Sequence, residues 1–325
     1  MSDRGPVSTP VGAGGEAEPR LGSLLGAGVL AAGLFVAPRF APALFLLGLV
    51  SPLPLMVQRL RGGGGGTALA TVLAAALIGA LLDPGPAVWF LAVVAAPALV
   101  MAESLVRGRG LVRGCGWAFA LVVTEIAVAL LFWSGPLAEQ VLAPLEHLRS
   151  DAFLGELRAG GVPPEQVTAW SEQVETLRGA LGIVFPAIFV IGGALMVLAN
   201  AALLRLYLAR RDPGWLEDGE FERVRWPLGL VGVFILSGAA VLVPAARATA
   251  YNVLLVVAFF FALQGLAVVG FYARRLAGPP LLRAAVVVLV LVNPWAPQIL
   301  ALLGLFDNWF DFRRWAEPPG EDKGT

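Results

Sequence analysis

The 325-residue chain is 58% hydrophobic and only 14% charged, with a mean hydropathy of +0.79, where a soluble domain carries nearer a quarter charged residues. Its 23 basic and 23 acidic residues cancel, so bulk charge points to no nucleic-acid partner. The single cysteine, Cys115, excludes an internal disulfide, and the single histidine, His147, excludes a His/Cys metal cluster; no cofactor or metal is expected.

Residues 1–20, rich in Gly, Pro and Glu, read as a disordered cytoplasmic tail. This tail holds three acids and two arginines, a poor start for a signal peptide, so Leu21–Ala37 reads as an uncleaved first membrane span. A bilayer core of ~30 Å needs about 20 apolar residues per helix. Further candidate spans are Phe40–Val57, Thr67–Leu82, Ala87–Val106, Gly116–Trp133, Leu181–Leu204, Leu228–Val243, Tyr251–Tyr272 and Leu281–Phe306. The expected fold is an all-α polytopic transmembrane bundle of eight or nine spans over residues 21–314, followed by a disordered tail at 315–325.

Along the chain, Gly22 and Gly26 form a G-x-x-x-G pattern, and Ala27 and Ala31 repeat the spacing, a face that lets helices approach closely. "SPLP" at Ser51–Pro54 interrupts the second segment. Prolines Pro52 and Pro54 there, and Pro294 within "NPWAP", free backbone carbonyls that neighbours, water or a ligand must satisfy. Broken helices in both halves of a chain point to transporter binding sites, and a simple proline kink is an equal alternative. "RGGGGGT" at Arg61–Thr67 lacks the lysine a phosphate-binding loop requires and reads as a flexible connection.

Glu125 stands near the centre of the fifth candidate span, in "LVVTEIAVALL"; Gln264 lies within the eighth and Asn200 in the sixth. A charge at mid-membrane costs at least ~2.5 kcal/mol, so such a residue serves pairing, protonation or function. Glu125 is expected to face the bundle interior within reach of the Gln264 amide, or of a pocket shared with it. These three residues, with Pro52, Pro54 and Pro294, form the candidate small-molecule site; a protonated Glu bridging helices is the structural alternative.

Residues 134–178 form the largest connection. Leu137, Val141, Leu145 and Leu148 recur at helical spacing, as do Val167, Trp170, Val174 and Leu177 after "GGVPPEQ", and Pro164 suits a first helical turn. The expectation is two amphipathic helices lying on the membrane or capping a cavity outside the cell, with a helical hydrophilic connector as an equal alternative. With the N-terminus cytoplasmic, thirteen arginines from Arg59 to Arg283 fall in inner loops. Five (Arg39, Arg149, Arg158, Arg178 and Arg247) fall outside, which is a positive-inside bias. The ninth segment crosses, or turns back at residues 293–297.

The chain ends in "GLFDNWFDFRR". Asp307 and Asp311 are four apart, the spacing at which paired aspartates hold Mg-diphosphate, but no second acidic cluster accompanies them. Phe306, Trp309 and Phe310 with Arg313 and Arg314 instead suit a water–lipid boundary, and an interfacial anchor is expected.

The stretches "SPLPLMVQRLRGG", "YNVLLVVAFFFALQGLAVVGFY" and "GLFDNWFDFRR" together resemble the bacterial YybS-like family of predicted multi-pass membrane proteins, over most of residues 21–314. That family is grouped loosely with substrate-binding subunits of energy-coupling vitamin transporters. The resemblance implies a bacterial inner-membrane protein with a small-molecule pocket and separate ATPase and scaffold subunits as partners. The leading expectation is therefore a non-catalytic, transporter-like binding subunit. An assembly protein that contacts envelope partners through residues 134–178 is the alternative, and an intramembrane enzyme ranks last, because no nucleophile–base pair is visible.

Overall fold

The computed structural model describes residues 21–216, 221–275, 293 and 295–316, and among these the chain is all-α with no strand. Backbone N–H and C=O groups in hydrocarbon find no water, so apolar runs close their hydrogen bonds within the helix. The helices are α1 (Leu21–Phe40), α2 (Phe45–Val50), α3 (Leu53–Arg61), α4 (Gly64–Leu81), α5 (Pro84–Val106), α6 (Leu111–Leu148), α7 (Asp151–Ala159), α8 (Pro164–Arg211), α9 (Leu228–Ala240), α10 (Arg247–Arg275) and α11 (Ala296–Phe310). Six of them, α1, α4, α5, α6, α8 and α10, contain stretches long and apolar enough to cross a membrane; α9 is apolar but shorter.

The remaining expected spans differ for physical reasons. Phe40–Val57 is not one helix. It is divided at Ser51–Pro52 into α2 of six residues and α3 of nine, and neither reaches the ~20 residues a crossing needs. Pro52 caps α3 and Pro54 sits in its first turn, where a missing N–H costs nothing. Of the last segment, residues 281–292 and Pro294 lie outside the described residues, as do the tails 1–20 and 317–325. Asn293 Oδ1 accepts the Trp295 N–H at 2.9 Å just before α11 begins. Trp315 and Ala316, expected in the tail, belong to a 3-10 turn at Phe312–Ala316. The glycine run is only partly a loop, since Gly64–Gly66 form the first turn of α4.

Two compact units arise, residues 1–127 with 192–218 and residues 128–191 with 219–325, with boundaries inside α6 and α8. In the first, α1 packs on α4 through Gly28, where an added Cβ would strike the Ala70 carbonyl oxygen, alongside fully buried Ala31 and Ala32. The G-x-x-x-G pair is not this face: Cβ atoms at Gly22 and Gly26 would meet open space. In lipid the hydrophobic effect does not drive helices together, so close backbone approach and dispersion supply the attraction. Gly193 of α8 is covered in the same way by Val122 and Ile126 of α6.

In the second unit, residues 134–178 are helical but not two separate surface helices. The first amphipathic stretch continues α6, and the second opens α8 at Pro164. With 38 and 48 residues, α6 and α8 would run about 57 and 72 Å, well beyond a ~30 Å hydrocarbon core. Leu145, Leu154, Val167 and Val174 are buried. The Trp170 indole N–H donates to the Leu148 carbonyl at 3.4 Å, and Arg149–Glu175 (2.7 Å) and Arg178–Glu146 (2.9 Å) pair the two helices. Much of the apolar stripe is thus used within the segment itself, which leaves less of it for a membrane surface.

Candidate functional site

The helix break in the first unit creates both a polar requirement and a groove. Ending α2 strands carbonyls that a continuous helix would satisfy. The Ser51 hydroxyl donates to the Gly48 carbonyl at 2.7 Å. The Asn200 amide, 1% exposed, donates to the Leu49 carbonyl at 3.1 Å and to its own Met196 carbonyl at 2.9 Å. Asn200, named from sequence as a ligand residue, is therefore engaged in satisfying the break. Pro54 lines the groove that the returning α3 leaves against α1.

That groove has a volume of about 840 Å³. Its walls are Gly26, Ala27, Leu30 and Leu34 of α1, Val50, and Leu53, Pro54 and Val57 of α3; Ser23, Gln58, Arg61, Gly62 and Tyr207 complete it. Along α3 the apolar lining, Leu53, Pro54 and Val57, precedes the polar lining, Gln58 and Arg61, so the C-terminal end of α3 is the polar end of the groove. The Arg61 guanidinium lies 5.5 Å from the centre of the Tyr207 ring, a cation–π contact. Nearby Arg59 is neutralised by Glu103 at 2.8 Å, which also binds Arg107 at 2.7 Å. Arg61 has no ion pair among the described residues.

Glu125 stands on α6 one turn from the Val122–Ile126 contact with Gly193. It is half-buried, and its Oε2 is buried without a hydrogen-bond partner among the described residues. It does not line the groove. Gln264 belongs to the second unit, where its Nε2 donates to Asp307 Oδ2 at 3.0 Å and its Oε1 accepts the Trp226 backbone N–H at 3.0 Å.

Those bonds open onto a network centred on the C-terminal motif. Asp307 is 1% exposed and also accepts the Phe312 N–H at 3.2 Å. Asp311 ends α11 in the left-handed conformation (φ 43°), a region a short polar side chain tolerates. The chain thereby turns back and brings Arg313 Nη2 to 3.5 Å from Asp307 Oδ2 and 3.1 Å from the Val224 carbonyl oxygen. Burial pushes the Arg313 guanidinium below its usual range, and the Asp307 carboxylate opposes that shift. Arg225 pairs with Asp311, and Arg274 with Glu222 at 2.7 Å. The Trp226 indole N–H donates to the Phe260 carbonyl at 2.7 Å. Phe306, Trp309 and Phe310 point outward as a boundary helix requires, and Arg314 is exposed. Arg313, expected beside them, is instead inside the network.

Two participants escaped the sequence reading. The Arg225–Trp226 segment reads only as a charged connector before Pro227. Asn252, near the start of α10, accepts the Ala187 N–H at 2.8 Å and donates to the Ile183 carbonyl at 2.7 Å. These are the two groups a regular ladder would join, beside the helix-breaking Pro186. A polar residue just inside the candidate span Tyr251–Tyr272 was the available signal. Asn252→Ala leaves both groups without the side-chain partner, and a loss of about 1–3 kcal/mol is expected in denaturant unfolding of the detergent-solubilised protein; an unchanged midpoint would show that the ladder closes by itself.

A family model described as "Predicted membrane protein (DUF2232)" matches residues 29–308, in agreement with the YybS-like resemblance. No curated protein and no solved structure matches the chain.

Proposed function

From a chain that belongs to the DUF2232 family of predicted membrane proteins, we propose a transporter-like membrane subunit that acts by binding a small amphiphilic molecule, without catalysis of its own. The observation that carries this reading is the groove between α1 and α3, with apolar walls and a polar end that includes a guanidinium lacking an ion pair among the described residues. Pockets of several hundred Å³, mostly apolar with a few polar groups, are the usual form of small-molecule sites. Glu125 is proposed as a separate protonation site on α6. Leu30→Trp tests the reading: the residue is exposed on one side, so an indole there is accommodated while filling the groove. Native mass spectrometry of gently solubilised protein should find a bound molecule on the wild type and little on the variant. Identical spectra would remove the groove as a site.

We also propose a cytoplasmic N-terminus, eight or nine crossings in a bacterial inner membrane, and residues 134–178 outside. The arginine bias supports this orientation. Cys115 packs against Met101 Sδ at 3.8 Å and is a poor reporter, so Cys115→Ser is the background of choice. An impermeant maleimide should label Glu165→Cys in intact cells and Arg109→Cys only after the cells are opened. The reverse pattern would invert the topology.

A further inference from the structure

We infer that the groove of the first unit holds an acyl chain of an anionic glycerophospholipid from the surrounding bilayer, with its phosphate on Arg61. The inference rests on the groove being a binding site and names what it binds. Dimensions come first. Ser23 and Leu34 mark its ends on α1 and lie eleven residues apart, about 16 Å at ~1.5 Å per residue. That is half of a ~30 Å hydrocarbon core, the depth of one leaflet. The wall residue Leu30 is 54% exposed on a helix of membrane-spanning length, so the groove flank belongs to the surface that lipid wets, and a chain can enter sideways.

Charge decides the headgroup. The Glu103 carboxylate, which pairs with Arg59 two residues before Arg61, is also taken by Arg107. Arg61 has no ion pair among the described residues and is held over the Tyr207 ring at the polar end. A guanidinium fork matches two phosphate oxygens. The Tyr207 hydroxyl is buried without a hydrogen-bond partner among the described residues, an additional donor at the same end. A zwitterionic lipid would bring its own cation beside Arg61; a phosphatidylglycerol would not.

The test is native mass spectrometry of the full chain, delipidated in detergent and titrated with palmitoyl-oleoyl phosphatidylglycerol or phosphatidylcholine. Wild type should favour the anionic lipid by about tenfold, the worth of one charge-assisted hydrogen bond. Arg61→Gln should abolish the preference, Arg61→Lys should keep most of it, and Arg109→Gln, on the exposed turn after α5, should leave it unchanged. Equal binding of the two lipids by wild type, or a preference that survives Arg61→Gln, overturns the anionic assignment. If Leu30→Trp still lowers binding of both lipids in that case, the groove remains a site for another amphiphile. If Leu30→Trp changes nothing, the groove reading falls as well.

Discussion

Asp307→Ala should cost about 3–5 kcal/mol and bring down the C-terminal half of the second unit. Removing one partner of a buried ion pair leaves the other charge without compensation, and the Arg313 side chain is only 7% exposed, its Nε and Nη1 without hydrogen-bond partners among the described residues. The same change strips acceptors from the Gln264 amide and the Phe312 N–H. Asp307→Asn should fall between, because it preserves shape but not charge. Joint replacement by Asp307→Leu and Arg313→Met should recover much of the loss, since a packed apolar pair often equals a buried ionic one. Triple replacement of Phe306, Trp309 and Phe310 by Ala should be milder in detergent, because those rings are 44–55% exposed. Thermal unfolding of the purified variants ranks them. An Asp307→Ala protein with wild-type stability but altered function would return the aspartate to the role of a ligand group.

Gly304→Ala should lower stability by about 1–3 kcal/mol, and Gly304→Leu by more, through overpacking. A Cβ at Gly304 would overlap the Phe261 carbonyl oxygen and crowd the Gly265 backbone nitrogen, and a Cβ at Gly265 would overlap the Leu300 carbonyl oxygen. The obstacles are backbone atoms of the facing helix, which cannot swing aside as a side chain can. The two glycines thus let α10 and α11 touch backbone to backbone, the arrangement that substitutes for a hydrophobic driving force in lipid. This contact also sets Gln264, the neighbour of Gly265, beside Asp307, one turn after Gly304, so Gly304→Leu should disturb the polar network together with the packing. Gly232→Ala, whose Cβ would meet open space, is the matched control. Equal melting of Gly304→Ala and Gly232→Ala would show that the helices do not approach this closely in the folded protein.

The candidate site was legible in part. Glu125, Gln264 and Asn200 stand out in sequence because a polar atom inside an apolar run is costly wherever it lies. What each one does was not legible. Asn200 answers a carbonyl 151 residues away, and Gln264 an aspartate 43 residues away. The C-terminal motif misled through its composition: aromatics and arginines together suit a water–lipid boundary, yet the turn at Asp311 carries Arg313 inward. Helical periodicity beyond residue 310 gives no hint of a left-handed residue.

Membrane residence, the all-helical class, the break at Ser51–Pro54 and the bounds of four of the six long apolar helices, α1, α4, α5 and α10, were readable along the chain. These depend on run length and on the missing N–H of proline, and both are local. Family membership was also carried by short motifs. Which glycines pack depended on helices meeting in three dimensions: Gly28, Gly193, Gly265 and Gly304 are in contact, whereas Gly22 and Gly26 are not. So did the prolongation of α6 and α8 by residues 134–148 and 164–178, and the groove beside Arg61. Spacing along a chain says which residues share a helix face. Which face meets a neighbour depends on helices distant in sequence, and the orphan carbonyls and buried charges choose among them by finding partners.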